Sequence, residues 1–328
     1  FTFLDINKYH NILKAIKVLK NVDREYGIRW IYSRSIWSAL AFRFFRVFSK
    51  ANLIFDFRGD LVAESSANGD SLVKLVFLKY LVKMAIACSS VVLTVSNSSA
   101  SFLKTNYDVL NPIVLPSAVY RNPYNKALLM AKEFRNSLGI IDDEIVLIYA
   151  GGTAHYQMLP QMLMIWKVLA AELNVRCILL TNKSLGNDSS INSLISLVPG
   201  IINLSVDLKE IPLYLGAADI GFILREQHQL NNVASPVKFA EYLAAGLAIV
   251  TSPGVGDISD LVQKQNLGTL INSNDLIQSV SACSQLIHVI RNNKKQFEKR
   301  SHHAFKEGNW DLNSHAVIWK KILQNNIN

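Results

Sequence analysis

The sequence has few cysteines and no long apolar run that is free of charge. Cys88, Cys177 and Cys283 are widely spaced among apolar neighbours, which indicates buried thiols of a reducing compartment rather than disulfides or a metal site. The longest apolar stretch, Leu72 to Val95, is interrupted by three lysines, so no membrane span is expected. Residues 1–20 lack a small-residue cleavage site, so no signal peptide is expected either.

A nucleotide fingerprint of the dehydrogenase type is also missing. No G-x-G-x-x-G follows any predicted strand, which argues against an NAD-dependent dehydrogenase. The chain does not begin with methionine, and we therefore expect that the true N-terminus is absent from it.

The size and charge of the chain indicate two domains and an anionic partner. At 328 residues the chain exceeds one typical domain, and half of its residues are apolar. Residues 1–125 hold 16 Lys and Arg against 8 Asp and Glu, a balance of +8, whereas residues 126–328 hold 18 against 17, a balance of +1. This asymmetry indicates that the first part meets a membrane surface, a nucleic acid or a phosphorylated substrate.

Short apolar strands alternate with amphipathic helices through the second half. Five continuous apolar runs are separated by helical patterns, at 144–152, 175–182, 201–206, 219–225 and 247–252. Continuous rather than alternating runs are typical of a parallel sheet that is covered on both faces. The pattern predicts a doubly wound α/β domain, whose ligands bind at the carboxyl ends of the strands.

The first half has the same pattern with about four strands, where a complete doubly wound domain would have six or seven. We expect that its opening strands are missing. A segment rich in Pro and Asn, 116–125, is the best linker. We predict an N-terminal domain over 1–120, a C-terminal domain over 121–300, and closing helices over 301–328 that pack back on the N-terminal domain.

The stretch around residue 235 carries the strongest chemical signal. Ser235 is predicted to be a helix N-cap and Pro236 the first helical residue, so the free N–H groups of that turn offer a phosphate site. Lys238 and Glu241 are three positions apart and share one helix face. A cation for a diphosphate and a carboxylate for ribose hydroxyls would suit a nucleotide. A plain amphipathic helix with an internal ion pair explains this stretch alone equally well.

Over nearly its whole length the sequence resembles a known family. The segment SPVKFAEYLAAGLAIVTSPGVGDISDLVQKQNLGTLI resembles the nucleotide-binding segment of the retaining, sugar-nucleotide-dependent glycosyltransferases of the GT-B fold, family four. VLIYAGG, LYLGAADIGFI, IFDFRGD and the tail NWDLNSHAVIWKKIL are similar to other parts of that family. The resemblance implies an α/β protein with two Rossmann-like doubly wound domains that face across a cleft, the first one incomplete.

The resemblance also implies which residues bind the donor. Glu241 would bind the ribose hydroxyls, and Ser235 and Pro236 would open the helix that faces the diphosphate. Gly151 and Gly152 would line the cleft where a side chain does not fit.

The chain departs from the family pattern at three positions. The family has a second glutamate, which contacts the donor sugar, where this chain has Val233. It has an arginine and a lysine, which bind the leaving diphosphate, where this chain has Gly152 and Met158. The departures leave the identity of the sugar open.

Other cations are candidates for neutralising the diphosphate. Arg225 follows a predicted strand and Lys238 lies in the first turn of the predicted helix, while His155 is a weaker alternative. No Asp-x-Asp sequence is present, which argues against the metal-dependent single-domain glycosyltransferase fold, and we expect neither a metal nor another cofactor.

In the first half, charged residues follow two predicted strands. Asp56 and Arg58 end the strand IFDF and are candidates for orienting the acceptor, although a structural ion pair is an equal alternative. Glu64 and Arg34 are weaker candidates at similar positions.

We therefore expect a glycosyltransferase that moves a sugar from a nucleotide-sugar donor to a glycan or lipid-diphosphate acceptor. The expected setting is cell-envelope polysaccharide or lipopolysaccharide synthesis. The reaction is expected to retain the configuration of the anomeric carbon and to need no metal ion. The expected location is the cytoplasm, with peripheral contact at the inner face of the cytoplasmic membrane left open. The stretch WSALAFRFFRVFSK resembles a membrane-surface helix, but packing on the sheet is the preferred interpretation. Nucleic acid is not an expected partner. The alternatives are a sugar-nucleotide epimerase of the same fold and an inactive binding subunit.

Overall fold

The chain divides into two compact units. The computed structural model describes residues 12–47, 49–181 and 189–325. The first unit holds the described residues up to Leu115 and those from Ile318 onward, and the second unit runs from Pro116 to Val317. The division falls at the first residue of the segment proposed as a linker.

The first unit is built on a parallel sheet. Its elements in chain order are α1 (Ile12–Tyr26), β1 (Trp30–Ser33), α2 (Ile36–Phe45), β2 (Asn52–Phe57), α3 (Leu61–Ala67), α4 (Leu72–Ala87), β3 (Val91–Thr94), α5 (Asn97–Tyr107) and β4 (Ile113–Val114). The four described strands pair in the order β1-β2-β3-β4, and every pairing is parallel.

Short polar side chains begin the helices of this unit. Ser35, Asp60, Ser71 and Ser96 are the N-caps of α2, α3, α4 and α5, and each side chain accepts a hydrogen bond from a backbone N–H of the first turn. Large apolar side chains of α2, β2 and α5 then close the core on one face of the sheet, among them Phe42, Phe45, Leu53, Phe55 and Leu103. Six of the ten residues of α2 are buried, so this helix packs on the sheet as preferred from its sequence.

The second unit has a larger parallel sheet. Its elements are α6 (Asn122–Ser137), β5 (Ile145–Ala150), α7 (Leu159–Glu172), β6 (Val175–Leu180), α8 (Ser189–Ser196), β7 (Ile202–Leu204), α9 (Ile211–Gly216), β8 (Ile220–Ile223), α10 (Gln229–Asn232), α11 (Val237–Ala245), β9 (Ala248–Thr251), α12 (Ile258–Lys264), β10 (Gly268–Leu270), α13 (Leu276–Glu307) and α14 (Leu312–Asn325). The last part of α14 belongs to the first unit.

Both faces of this sheet are covered by helices. In β5, Leu147 and Tyr149 join the core that contains α7, whereas Val146 and Ile148 join the core that contains α11. All six residues of β5 are buried. The parallel sheet covered on both faces, predicted from continuous apolar runs, is therefore confirmed.

The direction in which the strands are added changes at one point of the sheet. The six described strands run β10-β9-β8-β5-β6-β7, so the chain leaves β5 toward β6 and β7, then returns to place β8 on the other side of β5. In a doubly wound sheet, ligands bind where the direction of winding changes, at the carboxyl ends of the strands. This point lies at the ends of β5 and β8.

The cysteines and the apolar helices are the other features interpreted from composition. Cys88, Cys177 and Cys283 are buried free thiols. None of the helices in the described part of the chain is long and apolar enough to cross a membrane.

Candidate functional site

The helix that carries the predicted site is fixed to the sheet by one tyrosine. Tyr242 of α11 lies against Gly221 of β8, where a Cβ would stand 2.3 Å from the tyrosine ring. Its hydroxyl accepts a hydrogen bond from the Ala150 amide at 3.3 Å and donates to the Phe222 carbonyl at 3.3 Å. The first turn of α11 is thereby held beside the ends of β5 and β8.

Lys238 extends from that first turn to the loop after β5. A Cβ on Gly151, the first residue after β5, would stand 2.1 Å from Cε and 2.2 Å from Nζ of Lys238. The side chain of Lys238 therefore occupies the space that the glycine leaves open. The lysine is buried, with 8% of its surface exposed.

Two neutral groups surround the Lys238 amine. Nζ donates a hydrogen bond to Oε1 of Gln157 at 2.8 Å and lies 4.9 Å from the centre of the Tyr149 ring. Gln157 is buried as well, on a single 3₁₀ turn at His155–Gln157, and its Oε1 also lies within hydrogen-bonding distance of the Tyr149 hydroxyl. Sequence reasoning missed Gln157 and Tyr149, because neither residue type in a loop or an apolar strand signals a site.

The electrostatics of this arrangement favour the neutral amine. Burial and, to a smaller extent, the nearby positive charge of Arg225 lower the pKa of Lys238 from 10.5 to about 7, whereas Glu241 acts in the opposite direction. A titratable group with a strongly shifted pKa, lying beside the end of a central strand, is typical of functional sites.

Arg225 brings a second cation to the same edge of the sheet. It follows β8, and its amide donates to Oγ of Ser252, the residue after β9, at 2.9 Å. The guanidinium is half-buried over the Tyr156 ring, 4.7 Å from the ring centre. Among the described residues, no carboxylate lies within ion-pair distance of Arg225 or Lys238. The structure therefore brings these two predicted cations together at the point where the winding changes.

Glu241 lies one turn further along α11. The Tyr124 hydroxyl donates to Oε1 of Glu241 at 3.4 Å. Burial raises the pKa of the Glu241 carboxyl, while Lys238 and the Tyr124 hydrogen bond act in the opposite direction. The residue is only partly buried.

The predicted start of the helix is wrong by one residue. Pro236 has φ −59° and ψ 127°, which is not helical, so Pro236 is the N-cap and Val237 begins α11. Ser235 does not cap the helix, because its Oγ accepts a hydrogen bond from the Ser117 amide at 3.3 Å. The turn after β9 contacts α10, the short helix that precedes α11. There the Gly256 amide donates a hydrogen bond to the Asn231 carbonyl at 2.9 Å.

The three positions that depart from the family pattern hold no cation or carboxylate that could replace the usual groups. Val233 is buried, with 2% of its surface exposed, and Met158 is buried with its sulfur accepting from Oγ of Ser273 at 3.0 Å. A Cβ on Gly152 would meet Nε2 of Gln157 at 3.3 Å. His155 leaves 94% of its side chain exposed and lies 3.7 Å from Glu226.

The candidates of the first unit form an ion pair. Nε of Arg58 lies 2.7 Å from Oδ2 of Asp56, and the Tyr32 hydroxyl donates to the same carboxylate. Asp56 is 2% exposed, so the alternative of a structural pair agrees with this geometry. Glu64 and Arg34 are exposed.

No resident metal site is evident in the described part of the chain. Within residues 12–47, 49–181 and 189–325, no group of three or more His, Cys, Asp or Glu is arranged to hold a metal ion.

Comparison with known proteins establishes the fold. No family model matches the chain, and no curated protein matches it. Among solved structures, sucrose-phosphate synthase from Thermosynechococcus elongatus is similar over 99% of this chain and 80% of its own, at 13% identity and a TM-score of 0.77. Alr3699/HepE from Anabaena, solved with UDP and glucose, is similar over 96% and 81%, at 14% identity and 0.69. WaaG, a glycosyltransferase involved in lipopolysaccharide biosynthesis, is similar over 88% and 82%, at 13% identity and 0.64. The chain has the mixed α/β, parallel-sheet fold of the GT-B glycosyltransferases, as the resemblance implied.

Proposed function

We propose that the protein is a glycosyltransferase that moves a sugar from a nucleoside diphosphate donor to a glycan or lipid-linked acceptor. The observation that carries the proposal is the pair of basic side chains, Arg225 and Lys238, without carboxylate partners at the ends of β8 and β5. A guanidinium and a buried amine at the ends of two central strands, next to a carboxylate that can accept ribose hydroxyls, are suited to a nucleoside diphosphate. The UDP in the HepE structure makes UDP the first donor class to test.

The chemistry proposed for these cations is electrostatic. As the bond to the sugar breaks, negative charge grows on the departing diphosphate, and cations fixed in advance stabilise that charge more than they stabilise the intact donor. Lys238 reaches from α11 to the loop after β5 and lies beside Gln157. Gln157 directly precedes Met158, the position at which the family usually has its lysine. We propose that Lys238 and Arg225 together replace the missing arginine and lysine, so that the leaving group departs without a metal ion.

Glu241 is proposed to fix the nucleoside. Its carboxylate would accept hydrogen bonds from the two ribose hydroxyls, with Tyr124 holding the other side of the group. Retention at the anomeric carbon is proposed from the family resemblance, and the likeness to WaaG supports a role in cell-envelope polysaccharide synthesis. An epimerase is not favoured, because acid and base groups would have to work at these strand ends and the exposed His155 gives little support.

A membrane-bound acceptor is proposed from the surface of the first unit. Five apolar residues of α4 repeat at helical spacing and are 55–80% exposed; we name them the α4 stripe, Leu72, Val73, Val76, Phe77 and Tyr80. The same helix carries three exposed lysines and no acidic residue. An apolar stripe beside exposed lysines is suited to superficial contact with an anionic bilayer, where a lipid-linked acceptor would lie.

The donor site is tested by thermal unfolding with UDP, GDP and ADP. We expect one of them to raise the midpoint by several degrees at a concentration 100 times its Kd, since such binding adds about 2.7 kcal/mol of stability. Glu241→Ala should abolish the shift, and Val237→Ala on the same helix, where the valine is 45% exposed, should keep it. No shift with any nucleotide would refute the donor site.

A second measurement separates an enzyme from an inactive binder. Nucleotide sugars built on the base that stabilises the protein are incubated with it, and release of the nucleoside diphosphate is followed. Slow release that is lost in Lys238→Met and Arg225→Met supports transferase chemistry. Stabilisation without any release, even with added acceptor glycans, would favour the inactive subunit.

A further inference from the structure

Lys238 is a buried amine whose nearby charges act in opposite directions, Arg225 lowering its pKa and Glu241 raising it. Its hydrogen-bond acceptor is the neutral amide oxygen of Gln157 at 2.8 Å, and the Tyr149 ring covers it at 4.9 Å. A buried ammonium needs a counter-charge, and among the described residues no carboxylate lies within ion-pair distance of this one. The geometry is that of a cation site completed by an anionic ligand.

We propose that Lys238 takes up a proton from solvent when the donor diphosphate binds, and that Gln157 is the positioning residue that holds the amine for it. The inference rests on the proposed donor site and adds a property that the site does not require. No bond of the ligand is made or broken in this step; the amine gains one proton, and the bound diphosphate supplies the counter-charge.

The groups that face Lys238 explain the direction of the change. Glu241, one turn along α11, raises its pKa, while burial and Arg225, after β8, lower it to about 7. Tyr149 of β5 contributes a neutral hydroxyl, because burial raises its pKa well above the usual value. His155, in the loop after β5, lies 3.7 Å from Glu226, in the loop after β8, and both side chains are exposed. A diphosphate adds two or more negative charges beside the amine, which reverses the balance and favours the ammonium.

Gln157 suits this role because it is neutral. Its oxygen accepts from the amine whether or not the amine is protonated, and it places no permanent negative charge beside the diphosphate. Its own position is fixed by burial and by the Tyr149 hydroxyl. A glutamate at the same position would pair with Lys238 in the free protein and keep it protonated.

The test is calorimetric titration with UDP, GDP and ADP at pH 8.0, in two buffers that differ in ionisation enthalpy. The terminal phosphate of such a ligand has a pKa of about 6 and is fully ionised at pH 8, so any proton taken up is taken up by the protein. We expect close to one proton per bound nucleotide in the natural chain. Lys238→Arg, which stays protonated, and Gln157→Glu should both bind with almost no uptake.

The pH dependence of affinity gives a second readout that a merely structural role would not change. Above pH 7.5 the Kd of the natural chain should rise by up to about tenfold per pH unit, because each binding event needs a proton. With Lys238→Arg the Kd should stay flat over the same range. If one variant fails to fold, as judged by its circular dichroism, the other variant and the natural chain still give the comparison.

The outcomes distinguish the two proposals. If a nucleotide binds at pH 8 with no proton uptake and a flat Kd, the proton linkage is wrong and the donor site stands. If no nucleotide binds at any pH between 6 and 9, the donor site itself is wrong, and the linkage falls with it.

Discussion

A Cβ atom on Gly151 would stand 2.2 Å from Nζ of Lys238, so the glycine leaves the space in which the amine lies. The two residues belong to different elements, the loop after β5 and the first turn of α11. A side chain at position 151 would mainly displace the flexible end of the lysine, with the Tyr149 hydroxyl next nearest to the new Cβ at 3.2 Å.

We predict that Gly151→Ala weakens binding of the nucleoside diphosphate by about 10- to 100-fold, because a hydrogen bond to a charged group contributes about 1.5–3 kcal/mol. Calorimetric titration with UDP measures the loss. Gly59→Ala in the first unit is the control, since a Cβ there would have no other atom within 4 Å. Equal losses in the two variants would show that the space around Lys238 is not what matters.

The lowered pKa of Lys238 gives a second prediction, which concerns how stability depends on pH. Between pH 7 and pH 10 the unfolded chain carries this lysine protonated, at its ordinary pKa of 10.5, while the folded chain holds it largely neutral, at about 7. Unfolding therefore takes up a proton in this window. The free energy of unfolding gains up to about 1.4 kcal/mol per pH unit as the pH rises.

Lys238→Met removes that contribution. Urea unfolding of the natural chain and the variant at pH 7, 8 and 9 should show the natural chain gaining stability relative to the variant with each step. Other groups that titrate in both proteins cancel in the difference. A difference that stays constant from pH 7 to pH 9 would contradict a depressed pKa.

Much of the fold is predictable from the sequence because the strands are buried on both faces. Continuous apolar runs such as residues 145–150 allow few other interpretations, and the strands predicted from them are confirmed. The start of α11 was misplaced by one residue because Ser-Pro is a strong local start signal, whereas here the Ser235 hydroxyl is bound by the amide of Ser117. That partner lies 118 positions away, beyond the reach of local patterns.

The candidate site was predictable only in part. Arg225, Lys238 and Glu241 stand out because they are charged residues in apolar surroundings. Gln157 and Tyr124 carry no such signal, since their role depends on which helix turn faces which strand end. The position of Lys238 against Gly151 results from the packing of Tyr242 on Gly221, which no spacing in the sequence encodes.

The ion pair of the first unit gives a third prediction. Asp56 is 2% exposed and binds both Arg58 and the Tyr32 hydroxyl, while Arg58 keeps 33% of its side chain exposed. We expect Asp56→Ala to lower the free energy of unfolding by about 2–3 kcal/mol, below the 3–5 kcal/mol typical of a fully buried pair. Urea unfolding followed by the fluorescence of the tryptophans measures the loss.

Arg58→Met separates stability from catalysis at this pair. If the pair is structural, transfer activity should fall only as far as the folded fraction falls. A loss of activity greater than 100-fold in a fully folded Arg58→Met protein would instead assign Arg58 to the acceptor site. Unchanged stability in Asp56→Ala would contradict the structural interpretation.

The α4 stripe gives the last prediction, which concerns the membrane. Val73 and Phe77 are 80% and 55% exposed, and burying such side chains in a bilayer surface contributes about 1–2 kcal/mol each. Val73→Glu combined with Phe77→Glu should therefore lower binding to phosphatidylglycerol vesicles at least tenfold in a sedimentation assay.

Leu129→Glu on α6, where the leucine is 88% exposed, is the matched control and should bind as the natural chain does. Binding to neutral phosphatidylcholine vesicles should be weak throughout, because the exposed lysines of α4 gain nothing there. Equal binding by the stripe variant and the control would exclude α4 as the contact.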